Sequence, residues 1–68
     1  MATVTPGLSE LQREILVRLG KKQHPSFIAA DLWKSESTIR YHMKVIRSYF
    51  GVTTTDAAVA KAQTWDVI

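Results

Sequence analysis

The chain has 68 residues, which is the length of one small domain and leaves no room for a second core that could hold a catalytic cleft. It contains no cysteine, so disulfides, cysteine-ligated zinc and thiol catalysis are excluded. Nine basic and six acidic residues give a net charge of +3, which favours an anionic partner, and the 46% of hydrophobic residues is typical of a chain that folds.

Residues 1–7 show no apolar periodicity and are predicted to form a flexible arm, whereas residues 8–68 are predicted to form one domain. A domain of this size buries only about 60% of the surface of its unfolded chain, so we expect it to be reinforced by homodimerisation. The chain has neither an apolar run of the roughly 20 residues that span a bilayer nor the features of a signal peptide. We therefore expect a cytoplasmic protein with no membrane partner.

The first half of the domain predicts two helices. Apolar residues recur at helical spacing up to Gly20, and Ser9 can cap the start of this first helix. A polar stretch follows and ends at Pro25, which is tolerated at the first position of a helix because its missing amide hydrogen has no intrahelical acceptor there. The second helix is short and continues to about Leu32.

The second half predicts two more helices. Ser35 can cap a third helix that runs to Phe50, after which Gly51 can adopt the left-handed closing conformation. A threonine-rich break precedes a fourth helix, from Asp56 to about Trp65. The sequence thus predicts an all-α fold in which a tri-helical helix-turn-helix core is followed by a C-terminal helix for dimerisation.

The third helix has two different sides at about 100° per residue. The apolar side consists of Ile39, Met43, Ile46 and Phe50. The opposite side consists of Ser37, Arg40, Tyr41, Lys44 and Ser48, in an interval free of acidic residues from position 37 to position 55. The major groove of DNA, about 12 Å wide, admits one helix. We expect this polar side to read bases there, with Ser37, Arg40, Tyr41 and Lys44 as the candidates.

Two of these side chains carry the recognition chemistry. Arg40 can donate two parallel hydrogen bonds to O6 and N7 of a guanine, and Lys44 can do so less rigidly one turn later. Side chains beside this face are expected to contact the phosphate strands. These candidate phosphate contacts are Lys22, Ser26, Lys34, Thr38, His42 and Arg47.

The order of residues from Leu8 to Ile68 also resembles the LuxR/GerE-type helix-turn-helix domain. The matching residues are Leu8-Ser9, Glu14-Ile15-Leu16, Ile28-Ala29, Leu32, Ser35, Thr38-Ile39, His42, Ile46, Gly51-Val52, Ala58-Val59 and Ala62. The resemblance implies a bacterial transcription regulator with four helices, of which the third reads the major groove and the fourth forms a two-fold dimer. It also implies that Arg40 and Lys44 meet bases, whereas Thr38 and His42 lie near the DNA backbone.

The chain departs from the family pattern at several positions. Gln12 stands where a glutamate is usual, Lys22 replaces the customary glycine after the first helix, and Lys34 stands where a buried aliphatic residue is usual. Phe27 takes a position that is usually polar, and Tyr49 one where lysine is common. We expect Trp33 to fill the space that Lys34 cannot.

The fourth helix is predicted to have two packing sides. Its core side consists of Ala58, Val59, Ala62 and Trp65, and its low-relief side consists of Ala57, Ala60, Lys61 and Thr64. Small side chains let two helix backbones approach closely, so we expect the low-relief side to pair with a second copy of the chain.

Other functions fit the sequence less well. The two histidines are 18 positions apart with no carboxylate pair near them, and no cleft is expected, so we predict neither a metal site, a cofactor, a small-molecule ligand nor an enzyme. The aromatic residues, at helical spacing, are expected in the core rather than as stacking platforms for single strands. Three alternatives stay open, namely a solvated helix face, a protein-interaction module acting through the last helix, and a monomeric domain like region four of sigma factors. RNA polymerase is a further candidate partner.

Overall fold

The computed structural model describes residues 7–68, which contain four helices. They are α1 (Glu10–Gly20), α2 (Pro25–Asp31), α3 (Glu36–Phe50) and α4 (Thr55–Thr64). The prediction of an all-α, four-helix bundle of the helix-turn-helix type is confirmed, and the predicted helix ends agree to within about one residue. The expected N-terminal arm lies outside the described residues except for its last member, Gly7.

Each helix begins at a side chain that accepts a hydrogen bond from a free backbone amide. Ser9 and Ser35 cap α1 and α3 as predicted, and Thr54 caps α4 from within the threonine-rich break. His24 caps α2 through Nδ1, which accepts from the amide of Ser26 at 3.1 Å. Capping satisfies amides that have no partner inside the helix, so it fixes where each helix starts.

The core lies between α3 and the other three helices, each of which packs against it. Its largest fully buried side chains are Ile15, Leu16, Ile28, Ile39 and Ile46. The predicted apolar side of α3 is entirely buried, and Ala58 and Ala62 of α4 are buried against the same core. This packing fixes how α3 is rotated about its axis and therefore which side of it faces solvent.

All four helices end in a left-handed residue followed by a hydrogen bond that closes the turn. The left-handed residues, with φ between 61° and 69°, are Lys22, Trp33, Gly51 and Asp66. After α2 the amide of Lys34 donates to Ala29 O at 2.8 Å, and after α3 the amide of Val52 donates to Arg47 O at 3.0 Å. Glycine adopts this conformation without steric cost, whereas the other three residues adopt it at a cost.

The expectation that Trp33 fills a buried space is wrong, because its side chain is 93% exposed. The left-handed backbone at Trp33 reverses the chain, and the half-buried Leu32, one residue earlier, packs on the core instead. Phe27 is also 56% exposed, so α2 contributes only Ile28 and Ala29 to the buried core. The helix-turn-helix turn therefore presents an indole ring to solvent.

Arg18 links the first two helices through ion pairs. Its Nε donates to Glu14 at 2.9 Å, and its Nη1 donates to Asp31 at the end of α2. The hydrogen bond to Glu14, followed by the one to Asp31, raises the pKa of Arg18 above its already high ordinary value, so the guanidinium stays charged. Within residues 7–68 no helix is long and apolar enough to cross a membrane.

Candidate nucleic-acid interface

The solvent-facing side of α3 is the candidate recognition surface. We define the outer face of α3 as Ser37, Arg40, Tyr41, Lys44 and Ser48, all of which are exposed. The 15 residues of α3 extend over about 22 Å. Because the opposite side is buried, the outer face can be occupied by a ligand without disturbing the core. The exposure of the outer face agrees with the predicted base-reading role.

A cluster of hydroxyl groups marks the beginning of this face. Ser35 Oγ accepts from the amide of Thr38 at 3.1 Å and lies 2.8 Å from Thr38 Oγ1 and 3.2 Å from Ser37 Oγ. The cap therefore holds both predicted hydroxyl contacts, Ser37 and Thr38, at the N-terminal end of α3. The amides of a helix start and hydroxyl donors together suit a phosphate oxygen.

The two cations of the outer face are in different states. Arg40 donates from Nε at 2.9 Å and from Nη2 at 2.7 Å to the same carboxylate oxygen of Glu36, one turn earlier. Lys44 has no ion-pair partner within residues 7–68. One cation is thus oriented by the protein itself, and the other is a mobile point charge.

His42, at the border of the outer face, is oriented by a residue of α1. Gln12 Oε1 accepts from the amide of Ser9, so the Nε2 of the same amide group faces His42 Nδ1 at 3.2 Å and donates to it. A neutral ring that accepts at Nδ1 carries its hydrogen on Nε2, where it can be donated elsewhere. Sequence reasoning missed this pair because 30 positions separate the two residues.

Arg47, at the other border, is half-buried and donates from Nη1 to Thr55 Oγ1 at 3.2 Å. This hydrogen bond joins α3 to the first residue of α4. The side chain is therefore anchored to the protein while remaining partly exposed, which is compatible with the predicted contact to phosphate.

The remaining predicted phosphate contacts lie outside α3. Lys22 and Lys34 are exposed in the turns after α1 and α2, and Ser26 is exposed in the first turn of α2. The Oγ of Ser26 lies 2.9 Å from His24 Nδ1, so it takes part in the cap of α2. These residues are exposed donors on the helix-turn-helix unit outside α3.

The predicted dimer surface on α4 is largely free. Ala60, Lys61 and Thr64 are exposed and Ala57 is half-buried. Lys61 Nζ donates to Phe50 O at 3.2 Å, where it faces the negative end of the α3 dipole. The side chain thus serves within the monomer as well as lying on the predicted dimer surface.

Trp65 stands beside this surface and was predicted to pack on the core. Its ring meets Phe50 edge-on with the ring centroids 5.0 Å apart, yet the residue is 51% exposed. The Lys61 ammonium lies 5.7 Å from the centroid of the indole. No periodic signal could have predicted this half-exposure, because Trp65 is the C-cap, at which the chain leaves the helix.

Among residues 7–68 there is no group of three or more histidine and acidic side chains that could hold a metal ion. What the outer face offers is a row of hydrogen-bond donors, two of them cationic, on a rigid helix.

These features define a four-helix bundle of the helix-turn-helix type whose third helix presents a basic outer face. Over 61 residues the chain is 39% identical to the "Probable transcriptional regulatory protein NarL" of Mycobacterium tuberculosis, in strain CDC 1551 / Oshkosh and in strain ATCC 25618 / H37Rv alike. The matched stretch is 90% of this chain and 28% of each relative, so the chain spans less than a third of the curated relatives it matches. It is homologous to that part of NarL.

Comparison with protein-family models gave no match. Comparison with solved structures gave no match either.

Proposed function

We propose that the chain is the DNA-binding domain of a transcription regulator of the LuxR/GerE type, and that α3 reads the major groove of double-stranded DNA. The carrying observation is the outer face of α3, where an oriented arginine and a lysine without an ion-pair partner among residues 7–68 lie one turn apart opposite a fully buried side. The homology to NarL, whose name describes a transcriptional regulator, supports the same function.

The proposal assigns base contacts to the outer face. Arg40 and Lys44 project from successive turns, so they meet neighbouring base pairs, and Ser37 and Tyr41 flank them. A guanidinium that donates two bonds to guanine O6 and N7 discriminates against other bases by about 1–3 kcal/mol. Specificity therefore depends chiefly on Arg40.

Phosphate contacts position the domain on the duplex. The side chains assigned to this role carry a donor or a positive charge, and they are Lys22, Ser26, Lys34, Thr38, His42 and Arg47. They occur in two turns, in α2 and along both borders of the outer face, as is needed to contact both strands beside one groove. These contacts carry no base information, so they set affinity and salt dependence.

A second copy of the chain is proposed to pair through Ala57, Ala60, Lys61 and Thr64 of α4. The alanines allow two helices to cross closely, and a two-fold axis lets one surface serve both copies. The surface is small, so the dimer is weak in solution and forms mainly on adjacent half-sites. Its two α3 helices would then lie about 34 Å apart, which is one turn of DNA.

The test begins with selection of bound duplexes from a random-sequence pool, followed by fluorescence anisotropy on the selected and on an unrelated duplex between about 50 and 200 mM salt. We expect a two-fold symmetric site and an affinity for it about 10³-fold or more above that for unrelated DNA. No selective binding to duplex DNA would refute the proposal and favour a protein-interaction module.

The dimer is tested separately with Ala60→Glu, which places a carboxylate at the proposed two-fold contact, and with Gln63→Glu as the matched control on an exposed position outside it. Ala60→Glu should abolish cooperative binding to the symmetric site and leave weak half-site binding, whereas the control should bind as the unchanged protein does. Full-site binding by Ala60→Glu with unchanged affinity and stoichiometry would favour a monomeric domain like region four of sigma factors.

A further inference from the structure

The ion pair at the start of the outer face has a specific geometry. Glu36 is the first residue of α3, and a single oxygen of its carboxylate accepts from both Nε and Nη2 of Arg40, at 2.9 and 2.7 Å. The glutamate side chain is 41% exposed and the arginine side chain 55% exposed. An ion pair this exposed contributes little to folding stability, so its main consequence is the orientation of the guanidinium.

The pair leaves one edge of the guanidinium free. Of the five N–H groups of Arg40, Glu36 takes the one on Nε and one on Nη2, which lie along the side edge. The end edge keeps one N–H on each of Nη1 and Nη2, on a side chain that is 55% exposed. Those two parallel donors match the O6 and N7 acceptors of guanine.

The carboxylate also affects how strongly Arg40 is attracted to DNA when it contacts no base. A guanidinium paired with a carboxylate is partly neutralised and is biased toward that carboxylate and away from a phosphate, and the carboxylate itself repels phosphate. Binding to DNA of any sequence therefore gains less from Arg40 than it would from an unpaired arginine. Lys44, which lacks such a partner within residues 7–68, keeps its full attraction for phosphate.

We propose that Glu36 is a specificity-determining residue, which positions Arg40 for a guanine and weakens the binding of DNA that lacks this guanine. The inference rests on the proposed function and adds Glu36, which contributes to specificity through Arg40. Glu36 is thus a positioning residue, and its removal should alter discrimination rather than stability.

The experiment measures binding of Glu36→Gln to three duplexes, namely the selected site, the same site with the guanine opposite Arg40 replaced, and unrelated DNA. The guanine is identified as the base pair at which Arg40→Ala loses preference. For Glu36→Gln the ratio of affinities between the first two duplexes should fall about fivefold or more. Binding to unrelated DNA should tighten, with a salt slope steeper by about one as Arg40 becomes free to contact phosphate.

Two controls separate this role from a structural one. Glu14→Gln removes the carboxylate of another pair with four-residue spacing, Arg18–Glu14 on α1, and should leave every ratio unchanged. In the Arg40→Ala background, Glu36→Gln should have no further effect on base preference, because the positioned group is gone. Thermal unfolding of each variant, followed by circular dichroism, reports whether the fold is kept.

Three results would overturn the inference. One is an unchanged ratio of affinities between the selected site and the site without the guanine in Glu36→Gln. Another is an equal loss of affinity for all three duplexes together with a lower Tm, because Glu36 would then be a structural residue at the start of α3. The third is a change in base preference that Glu36→Gln still causes in the Arg40→Ala background.

Failure of the inference can be distinguished from failure of the proposed function. If the unchanged protein does not select any duplex, the proposed function fails together with the inference. If it selects a site and only the Glu36 result fails, the proposed function stands.

Discussion

The outer face of α3 can be compared with its inner face, which is the buried apolar side of the same helix (Ile39, Met43, Ile46 and Phe50). On the inner face Ile39, Ile46 and Phe50 are at most 3% exposed, so each is in contact with other side chains on all sides. On the outer face Arg40 and Lys44 are exposed and contact little of the rest of the protein. The inner face therefore determines whether the domain folds, and the outer face is free to be determined by what the domain binds.

The largest expected effect comes from the inner face. Replacing Ile46 with alanine should lower the free energy of unfolding by about 2–5 kcal/mol, because the site is closely packed and the cavity collapses only partly. A domain of 68 residues has a total stability on the order of 3–10 kcal/mol, so the variant should lose a large part of its stability. Urea denaturation followed by circular dichroism measures the change.

Ile46→Val is the matched control and should cost only about 0.5–1.5 kcal/mol. Under conditions where this control is folded, its base preference should equal that of the unchanged protein. A change in base preference would show that the two faces of α3 are coupled rather than independent.

The next effect belongs to the outer face. Replacing Arg40 with alanine should weaken binding to the selected site by about 1–3 kcal/mol and relax the preference at one base pair in each half-site. The stability should change by no more than about 0.5 kcal/mol, since the residue is exposed. Anisotropy titrations on singly substituted sites measure the preference. Uniform weakening on all sites would instead make Arg40 a phosphate contact.

The difference between the faces also explains what the sequence could predict. The inner face follows from one periodic pattern, and the ends of α3 follow from Ser35 and Gly51, which have strong local preferences. Local pattern also identified the exposed donors of the outer face. The fold and the composition of the candidate site were therefore accessible from residues close together in the chain.

The features that could not be predicted depend on backbone and side-chain geometry that the neighbouring sequence does not indicate. The left-handed backbone at Trp33 is one case, because a tryptophan gives no indication of positive φ, and the residue was wrongly expected to be buried. The Gln12–His42 hydrogen bond is another, because it forms only after α1 and α3 have packed. The pairing of Arg40 with Glu36 was within reach of sequence reasoning, since charges four apart on a helix interact.

The two turns that flank α3 give a test of the local preferences. Gly51 and Trp33 have the same left-handed backbone, with φ of 69° and 61°. Gly51→Ala should destabilise the domain and Trp33→Gly should stabilise it, each by about 1 kcal/mol, because only glycine adopts this conformation without steric cost. An alanine Cβ at position 51 would meet no atom within 4 Å, so the expected loss comes from the backbone alone.

The free energy of unfolding in urea measures both changes. Lower stability of Trp33→Gly would show that the exposed indole contributes to folding through a contact that outweighs the strain of its backbone. An unchanged stability of Gly51→Ala would show that the turn after α3 tolerates a side chain as readily as the turn before it.

The smallest effect is expected at Arg47, which lies on the border between the two faces. Its replacement should change both the stability and the affinity for DNA, each by a small amount. Its half-buried guanidinium donates to Thr55 Oγ1, so Arg47→Ala should lower the stability by about 0.5 kcal/mol, the low end for a net hydrogen bond. As a proposed phosphate contact it should also weaken binding to all duplexes alike and reduce the salt slope by about one.

Thr55→Val removes the acceptor and keeps the charge, so it should reproduce the loss of stability and leave the salt slope nearly intact. Arg47→Lys should do likewise, because a lysine keeps the charge without the fork of donors. Urea denaturation and anisotropy titrations at several salt concentrations separate the two effects. A salt slope that stays unchanged in Arg47→Ala would show that the residue belongs to the folded core alone and does not reach the DNA backbone.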